Sequence, residues 1–444
     1  MALYSRGSQI KSVVVFDPNA SVGHELKTLV GPIQIYEDVA DPSMHINVTI
    51  FDTFGKKENI PIRSGSRCQL LIEHPTGNVD FINYPLFITN IINTGSTEKK
   101  EFFTLELETG GIIYNNLQRL VQKYDDKADK LIKKFLGTIG VPDDRISEDF
   151  ETPKYPIQFM GNYKRPLNTC VWLASHSIPA IEGDTGTDTS NSGSGGFFFW
   201  ETLTGYFFKS VDNIFRKAID AKDQIEKYFQ SSTMDALDER SNYRIASRPS
   251  WSKDHALLDK LSKGQYASFH TFIDVLDEAH TVAVRDPSSK HEFKPKSQIE
   301  SGDSKGAVLA NEVTHNPLEF LSESRYRCDI IDTRTFDEGE KYDKDNITDG
   351  KTNQEQVKYR ARIHSRYAAL FSEVLTITVP LNLRLQAGTV IEVEFPRINI
   401  DKPNSGNVNP ASGFYMIKSL SHQFLSEGDF TGLKLVRDSY SETK

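Results

Sequence analysis

A chain of 444 residues is longer than one hydrophobic core usually supports, so at least two domains are expected, and three or four are within reach. Hydrophobic residues at 38%, charged residues at 25% and aromatic residues at 11% describe an ordinary soluble globular protein, with 27 Phe and 17 Tyr leaning toward β-structure. A net charge of -9 argues against tight non-specific nucleic-acid binding, which needs clustered Lys and Arg, and no window is apolar for long enough to cross a bilayer.

From Ile10 to Thr109 the pattern is one of short strands parted by turns, at Val13–Phe16, Ile33–Tyr36, His45–Phe51, Cys68–His74, Tyr84–Asn93 and Phe102–Glu108. Ile46, Val48 and Ile50 alternate with Asn47 and Thr49, as a strand with one covered face requires. Strands at this spacing with no helix between them predict a small antiparallel barrel or sandwich.

The period then lengthens. Leu117, Leu120, Val121, Tyr124, Leu131, Ile132, Phe135 and Leu136 fall on one stripe of a helix whose other side carries Lys127, Asp129, Lys130 and Lys133. The charge run from Lys123 to Lys134 mixes both signs and reads as a solvated face. Pro166 suits the first position of a second helix running through Trp172 and Ala174, and Val211, Ile214, Phe215, Ala218, Ile219, Ile225, Tyr228 and Phe229 mark a third.

Between the second and third helices a Gly-, Ser-, Thr- and Asp-rich loop, Glu182–Gly196, delivers the most apolar stretch of the chain. Phe197, Phe198, Phe199 and Trp200 are too apolar for a half-solvated strand, so both faces should be covered. Thr202 to Gly205 supply a turn, and Tyr206, Phe207 and Phe208 return. These seven aromatics suit a core or a protein–protein contact, since both share this composition.

Strand character resumes at Tyr243–Ser247, and Ala267–Leu276 with His280–Arg285 forms a predicted strand pair. Asp286–Asn353 is polar, with Ala307–Ala310, Pro317–Leu321 and Tyr326–Ile331 its apolar islands; an insertion or a disordered excursion would explain it. Gln354–Phe371 looks helical. The clearest strands follow, at Val374–Pro380, Thr389–Pro396, Gly413–Phe424 and Thr431–Asp438.

The final block resembles the closing strands of a tail-hub family that includes the T-even-like baseplate hub, the late-control D protein and the N-terminal part of VgrG spikes. The resemblance rests on the turn Leu383–Gly388, on Glu394-Phe395, on Gly413-Phe414-Tyr415-Met416-Ile417 running into Ser421-His422-Gln423-Phe424, and on Gly432–Val436. Gly195–Thr202 with Gly205-Tyr206-Phe207, preceded by Trp172-Leu173-Ala174, is similar to the same family's middle domain. The resemblance implies a mainly β chain with an α/β middle: a first tube-like barrel over 1–112, an α/β domain with the aromatic hairpin over 113–240, a second tube-like barrel from 241–285 and 354–444, and a polar insertion at 286–353. It also implies a homotrimer whose paired barrels join the sixfold tail tube to a threefold central spike, with other baseplate proteins around it and DNA passing through the lumen without specific binding. Such a protein is a virion component assembled in the host cytoplasm, and the opening MALYSRGSQIKSVVVF, lacking the apolar core of a signal peptide, agrees with cytoplasmic synthesis.

No enzyme, cofactor or metal is read from the residues. Cys68, Cys170 and Cys328 lie far apart without a CxxC pair, and read as small packed residues. His270 and His280 near Asp274, Asp277 and Glu278 lack close ligand spacing; Asp343, Asp345 and Asp349 lack a calcium loop's spacing; Gly350-Lys351-Thr352 has no strand before it. His422 has no nucleophile elbow beside it. A tail-associated cell-wall hydrolase using two carboxylates, and the hub of a bacterial contractile injection system, are the alternatives.

Overall fold

The computed structural model describes residues 7–17, 22–52, 62–97, 100–180, 196–230, 243–253, 257–263, 268–274, 281–286, 325–331, most of 360–396, and 409–437 apart from 410. The N-terminal part holds β1 (Gln9–Phe16), β2 (Gly23–Glu25), β3 (Val30–Asp38), β4 (His45–Asp52), β5 (Arg67–His74), β6 (Gly77–Asp80), β7 (Leu86–Thr97) and β8 (Lys100–Thr109). A mixed region follows, with α1 (Gly110–Leu117), β9 (Lys123–Asp126), α2 (Ala128–Thr138), β10 (Ile157–Met160), α3 (Pro166–His176), β11 (Phe197–Thr202), β12 (Gly205–Ser210) and α4 (Val211–Asp220). The remainder holds β13 (Lys227–Phe229), β14 (Ser250–Lys253), α5 (Leu257–Ser262), β15 (Ser268–Asp274), β16 (Thr281–Asp286), β17 (Tyr326–Ile331), β18 (Glu373–Pro380), β19 (Val390–Glu394), β20 (Gly413–Leu425) and β21 (Gly428–Val436).

The fold is mainly β, with antiparallel sheets and few helices. In the N-terminal row, β3-β4-β8-β7-β5-β1-β2, the alternate residues Ile33, Ile35, Ile46, Val48, Leu105, Leu107, Ile88, Leu70, Ile72, Val13 and Val15 share one buried cluster. Five strand spacings would separate β3 from β1 by about 24 Å if the row were flat. It is instead curled, with Leu26 and Leu29 of the connection between them in the same cluster. The sequence pattern hides β6, because Pro75-Thr76-Gly77-Asn78 looks like a plain breaker, yet Gly77 and Asn78 start β6, paired to β5; β2, three residues long and paired to β1, is too short to show a period.

The C-terminal row, β13-β19-β20-β21-β18-β14, encloses Tyr228, Leu375, Ile377, Ile391, Val393, Tyr415, Ile417, Leu433 and Leu435. Ile245 N donates to Phe229 O, and Ala246 N donates to Thr378 O, so residues 245–246 bond to both β13 and β18 and complete a ring of backbone hydrogen bonds. The expected strand at Tyr243–Ser247 is thus a short link of this kind, while the strand proper is β14.

Three sequence expectations are corrected. The single helix over Leu117–Leu136 is two helices separated by β9, and Leu117 and Val121 are exposed. Tyr124 instead lies in a strand paired with β10, its ring stacked on Phe159 and edge-on to Phe135, so a tertiary contact took a residue that the helical period had claimed. The third helix stops at Asp220, and Tyr228 and Phe229 sit in β13, parallel to β19, where Tyr228 is fully buried. β15 and β16 pair as expected but belong to a separate three-stranded sheet with β17, which lies inside the polar region, and not to the large sheet that holds β18–β21.

Candidate functional site

All six residues of β11 are buried, because the strand is sandwiched. Phe197 and Phe199, with Tyr206 and Phe208 across the hairpin, join the core under α2 and α3. Phe198 and Trp200 point the other way, with Val211, Ile214, Phe215, Ala387, Met416 and Val436, and Phe207 lies partly buried against them. Period-2 alternation therefore gives one face to the mixed region and the other to the C-terminal sheet.

The contact with the C-terminal sheet is specific. Trp200 Nε1 donates to Ala387 O at 2.9 Å, and the next residue, Gly388, has φ +83°. A Cβ at Gly388 would lie 2.4 Å from Trp200 Cζ2, so the indole lies over a backbone that only glycine leaves open. At the hairpin's turn Gly205, at φ +140°, faces the Arg145 carbonyl, 2.3 Å from where a Cβ would stand.

That turn lies in a buried polar junction where β3, the hairpin, the 383–388 turn, the β3–β4 connection, the end of β8 and Arg145 meet. Glu37, 2% exposed on β3, accepts from Leu203 N of the hairpin turn at 2.7 Å and from Ala387 N at 2.9 Å. Glu201, fully buried on β11, accepts from Thr109 Oγ1 at 3.0 Å and from Met44 N at 3.3 Å. Arg145 lies beside Glu201, Nη2 to Oε1 3.5 Å, and donates to the carbonyls of Leu203 and Thr202. Its guanidinium also faces the rings of Phe81 and Tyr84. Burial, with the second carboxylate adding to it, pushes Glu37 up to about 7 against the pull of its backbone hydrogen bonds; burial pushes Glu201 up to about 6 against the pull of Arg145.

Above the junction, β3 does a second job. It pairs with β20 from Ser419↔Asp38 to Phe424↔Ile33, so the N- and C-terminal rows are one continuous hydrogen-bonded sheet. Registers across this seam put Thr376, Lys434, Ser419, Asp38 and, one step along, Ser421, Tyr36, His45 and Glu108 on one face. Gln423, Gln34, Asn47 and Glu106 extend it. The same face is apolar at Val374, Val436 and Met416, where the hairpin's outer side covers it, and polar and half-solvated beyond. Its charges are largely matched: Lys418 meets Asp38 at 3.2 Å, and His45 sits between Asp41 and Glu108, whose hydrogen bonds hold it protonated at up to about 10.

The other sequence candidates do not converge. His422 is fully buried, hydrogen-bonded to Thr431 Oγ1 at 3.0 Å and pushed down to about 4 by burial. His270 is buried beside Ser268 Oγ at 2.9 Å, while His280, Asp277 and Glu278, like Asp343, Asp345 and Asp349 to Thr352, lie outside the described residues. Cys68 and Cys170 are buried and Cys328 is exposed. Among the described residues no group of three or more His, Cys, Asp or Glu is arranged to hold a metal ion, and no helix is long and apolar enough to cross a membrane. The junction went unread, although one sign was present: Glu37 follows Ile33 and Ile35 in the inward register of β3.

No protein-family model matches the sequence, and no curated protein matches it either. Among solved structures, a tail protein from Neisseria meningitidis MC58 superposes with a TM-score of 0.52 at 13% identity, covering 97% of each chain. The chain has the fold of a tail protein. A tail protein of prophage MuSo2 from Shewanella oneidensis follows at 0.49 and 11% identity, over 96% of this chain and 98% of that one. The E. coli c3393 protein, a type VI secretion component described as similar to the T4 bacteriophage tail proteins gp27 and gp5, scores 0.44 at 10% identity, over 98% of this chain and 78% of its own. The resemblance to tail proteins is met at the level of the fold, over nearly the whole chain.

Proposed function

We propose that the protein is a non-enzymatic, trimeric hub of a contractile-tail baseplate, each copy contributing two tube-like modules to a six-module ring between the sixfold tail tube and the threefold central spike. The observation that carries this is the β3–β20 seam, which fuses two curled rows into one sheet with a face that stays polar across the seam. Two modules fixed side by side in one chain are what a threefold assembly needs to present six units. The polar face is then the lumen side. Its Ser, Thr, Asn, Gln and Tyr residues, with Asp38 and Glu108 matched by Lys418 and His45, let DNA pass through lack of clustered cations and not through the strongly acidic lining that a net charge of -9 suggests.

The aromatic hairpin is a mortar between the mixed region and the C-terminal sheet, which leaves the domain boundaries at 112 and 240 as joints of one body. The cell-wall hydrolase alternative gains no support from the junction, because Glu37 and Glu201 are shut from solvent and bound by backbone amides. Phage tails and bacterial injection machines are covered alike by this reading.

Light scattering on the purified full-length chain, with negative-stain imaging, tests it. A trimer burying at least ~2,000 Å² per interface and showing a six-module ring is expected. A chain that stays monomeric at micromolar concentration, and forms no ring when tail-tube protein is added, refutes it.

A further inference from the structure

The junction carries a charge imbalance that the hub reading leaves unused. Two carboxylates, Glu37 and Glu201, face one guanidinium, Arg145, in a site closed from water. The other titratable groups facing them are the Tyr84 and Tyr206 hydroxyls, both neutral at physiological pH because burial beside Glu201 pushes them upward. With both carboxylates ionised the site holds a net negative charge in a low-dielectric interior; with one proton between them it is neutral.

Each carboxylate also holds a segment other than its own. Glu37 of β3 holds the hairpin turn at Leu203 and the 383–388 turn at Ala387, and Glu201 of β11 holds the β3–β4 connection at Met44 and the end of β8 at Thr109. We propose that the buried carboxylates of Glu37 and Glu201 form a proton-sensitive latch, in which proton uptake keeps the hairpin and the 383–388 turn seated on β3 and proton loss loosens all three together.

The direction follows from linkage. Glu37 and Glu201 lie above the ordinary 4.5 in the closed junction, at about 7 and about 6, so the closed state takes up protons that the open state gives away. The stabilisation is complete below about pH 4.5 and is lost as pH rises through about 6 to 7. Opening should therefore become easier by up to about 30-fold per pH unit between about pH 5 and about pH 6, more gradually above that, and level off above about pH 7.

Hydrogen exchange on the purified full-length protein, with each rate divided by its intrinsic value at that pH, reads this directly. Protection of peptides spanning 41–46, 200–206 and 383–389 should fall together along that profile in the wild type, while Glu201→Gln, which removes one of the two ionisable groups, should make it shallower, and Glu37→Gln combined with Glu201→Gln should flatten it. Glu37→Gln serves where Glu201→Gln does not fold, and Glu73→Gln, an exposed partner of Lys11, is the control that keeps the wild-type slope. Protection that is independent of pH in the wild type overturns the latch. So does a slope that is undiminished in the single glutamine variants or survives in the double one. Neither result bears on whether the chain forms a ring.

Discussion

Substituting Gly388 by Ala tests whether the hairpin is locked to the C-terminal sheet by shape. Alanine at φ +83° costs about 1 kcal/mol in backbone strain. Its Cβ would lie 2.4 Å from Trp200 Cζ2, 3.0 Å from Cε2 and 3.1 Å from Cη2. The indole cannot simply swing aside, because Nε1 is bonded to Ala387 O and the ring is stacked on Phe207. Forcing a methyl into such a contact costs about 1–3 kcal/mol more, so Gly388→Ala should lose about 2–4 kcal/mol in all. Phenylalanine at 200 has neither Cζ2 nor Cη2, and in a Trp200→Phe background the same substitution should cost only the backbone strain of about 1 kcal/mol. Urea unfolding followed by circular dichroism on the four proteins of this cycle gives the coupling, expected at about 1–3 kcal/mol. Equal costs in the two backgrounds refute the argument.

Three further outcomes are expected. His422 is held down to about 4 by burial, so its contribution to stability is present above about pH 6.5 and lost as pH falls through about 4; against His422→Gln, the wild type should lose about 3 kcal/mol more between pH 7 and pH 4 in thermal unfolding. Asn115→Ala should destabilise by about 1–3 kcal/mol, because Asn115 Oδ1 accepts from Leu167 N in the first turn of α3, where the N-cap residue Arg165 supplies no side-chain cap; an unchanged urea midpoint would show that another group takes over. Thr49→Lys with Ser421→Lys, both on the half-solvated polar face, should each change stability by no more than about 0.5 kcal/mol. Assembled rings of that double variant should nevertheless retain duplex DNA in a salt-dependent manner, and rings that bind no more DNA than wild type would remove the lumen assignment.

Residues 45–51, 102–108, 374–380 and 431–436 were legible as strands because alternation at period two is written in consecutive side chains and survives any tertiary context. The aromatic hairpin was legible for a related reason: four consecutive aromatics cannot leave a face in water. The helix stripe from Leu117 to Leu136 misled because the helical period fits residues whose environment is not helical. Tyr124 satisfies it in sequence, yet gains more from Phe159 and Phe135 as a strand residue.

What only the folded chain decides is which edges and which buried charges meet. Nothing local tells β3 that its second neighbour is β20, since any strand edge offers the same row of amides and carbonyls, and the choice falls to the shapes of two rows that exist only once each has curled. The 61 acidic residues look alike in sequence, and Glu37 and Glu201 become distinct only when the hairpin turn closes over them and takes their solvent away. Alternation of side chains thus determined the pieces and their inward faces, while long-range surface fit determined the seam, the junction and the single polar face that the proposed function rests on.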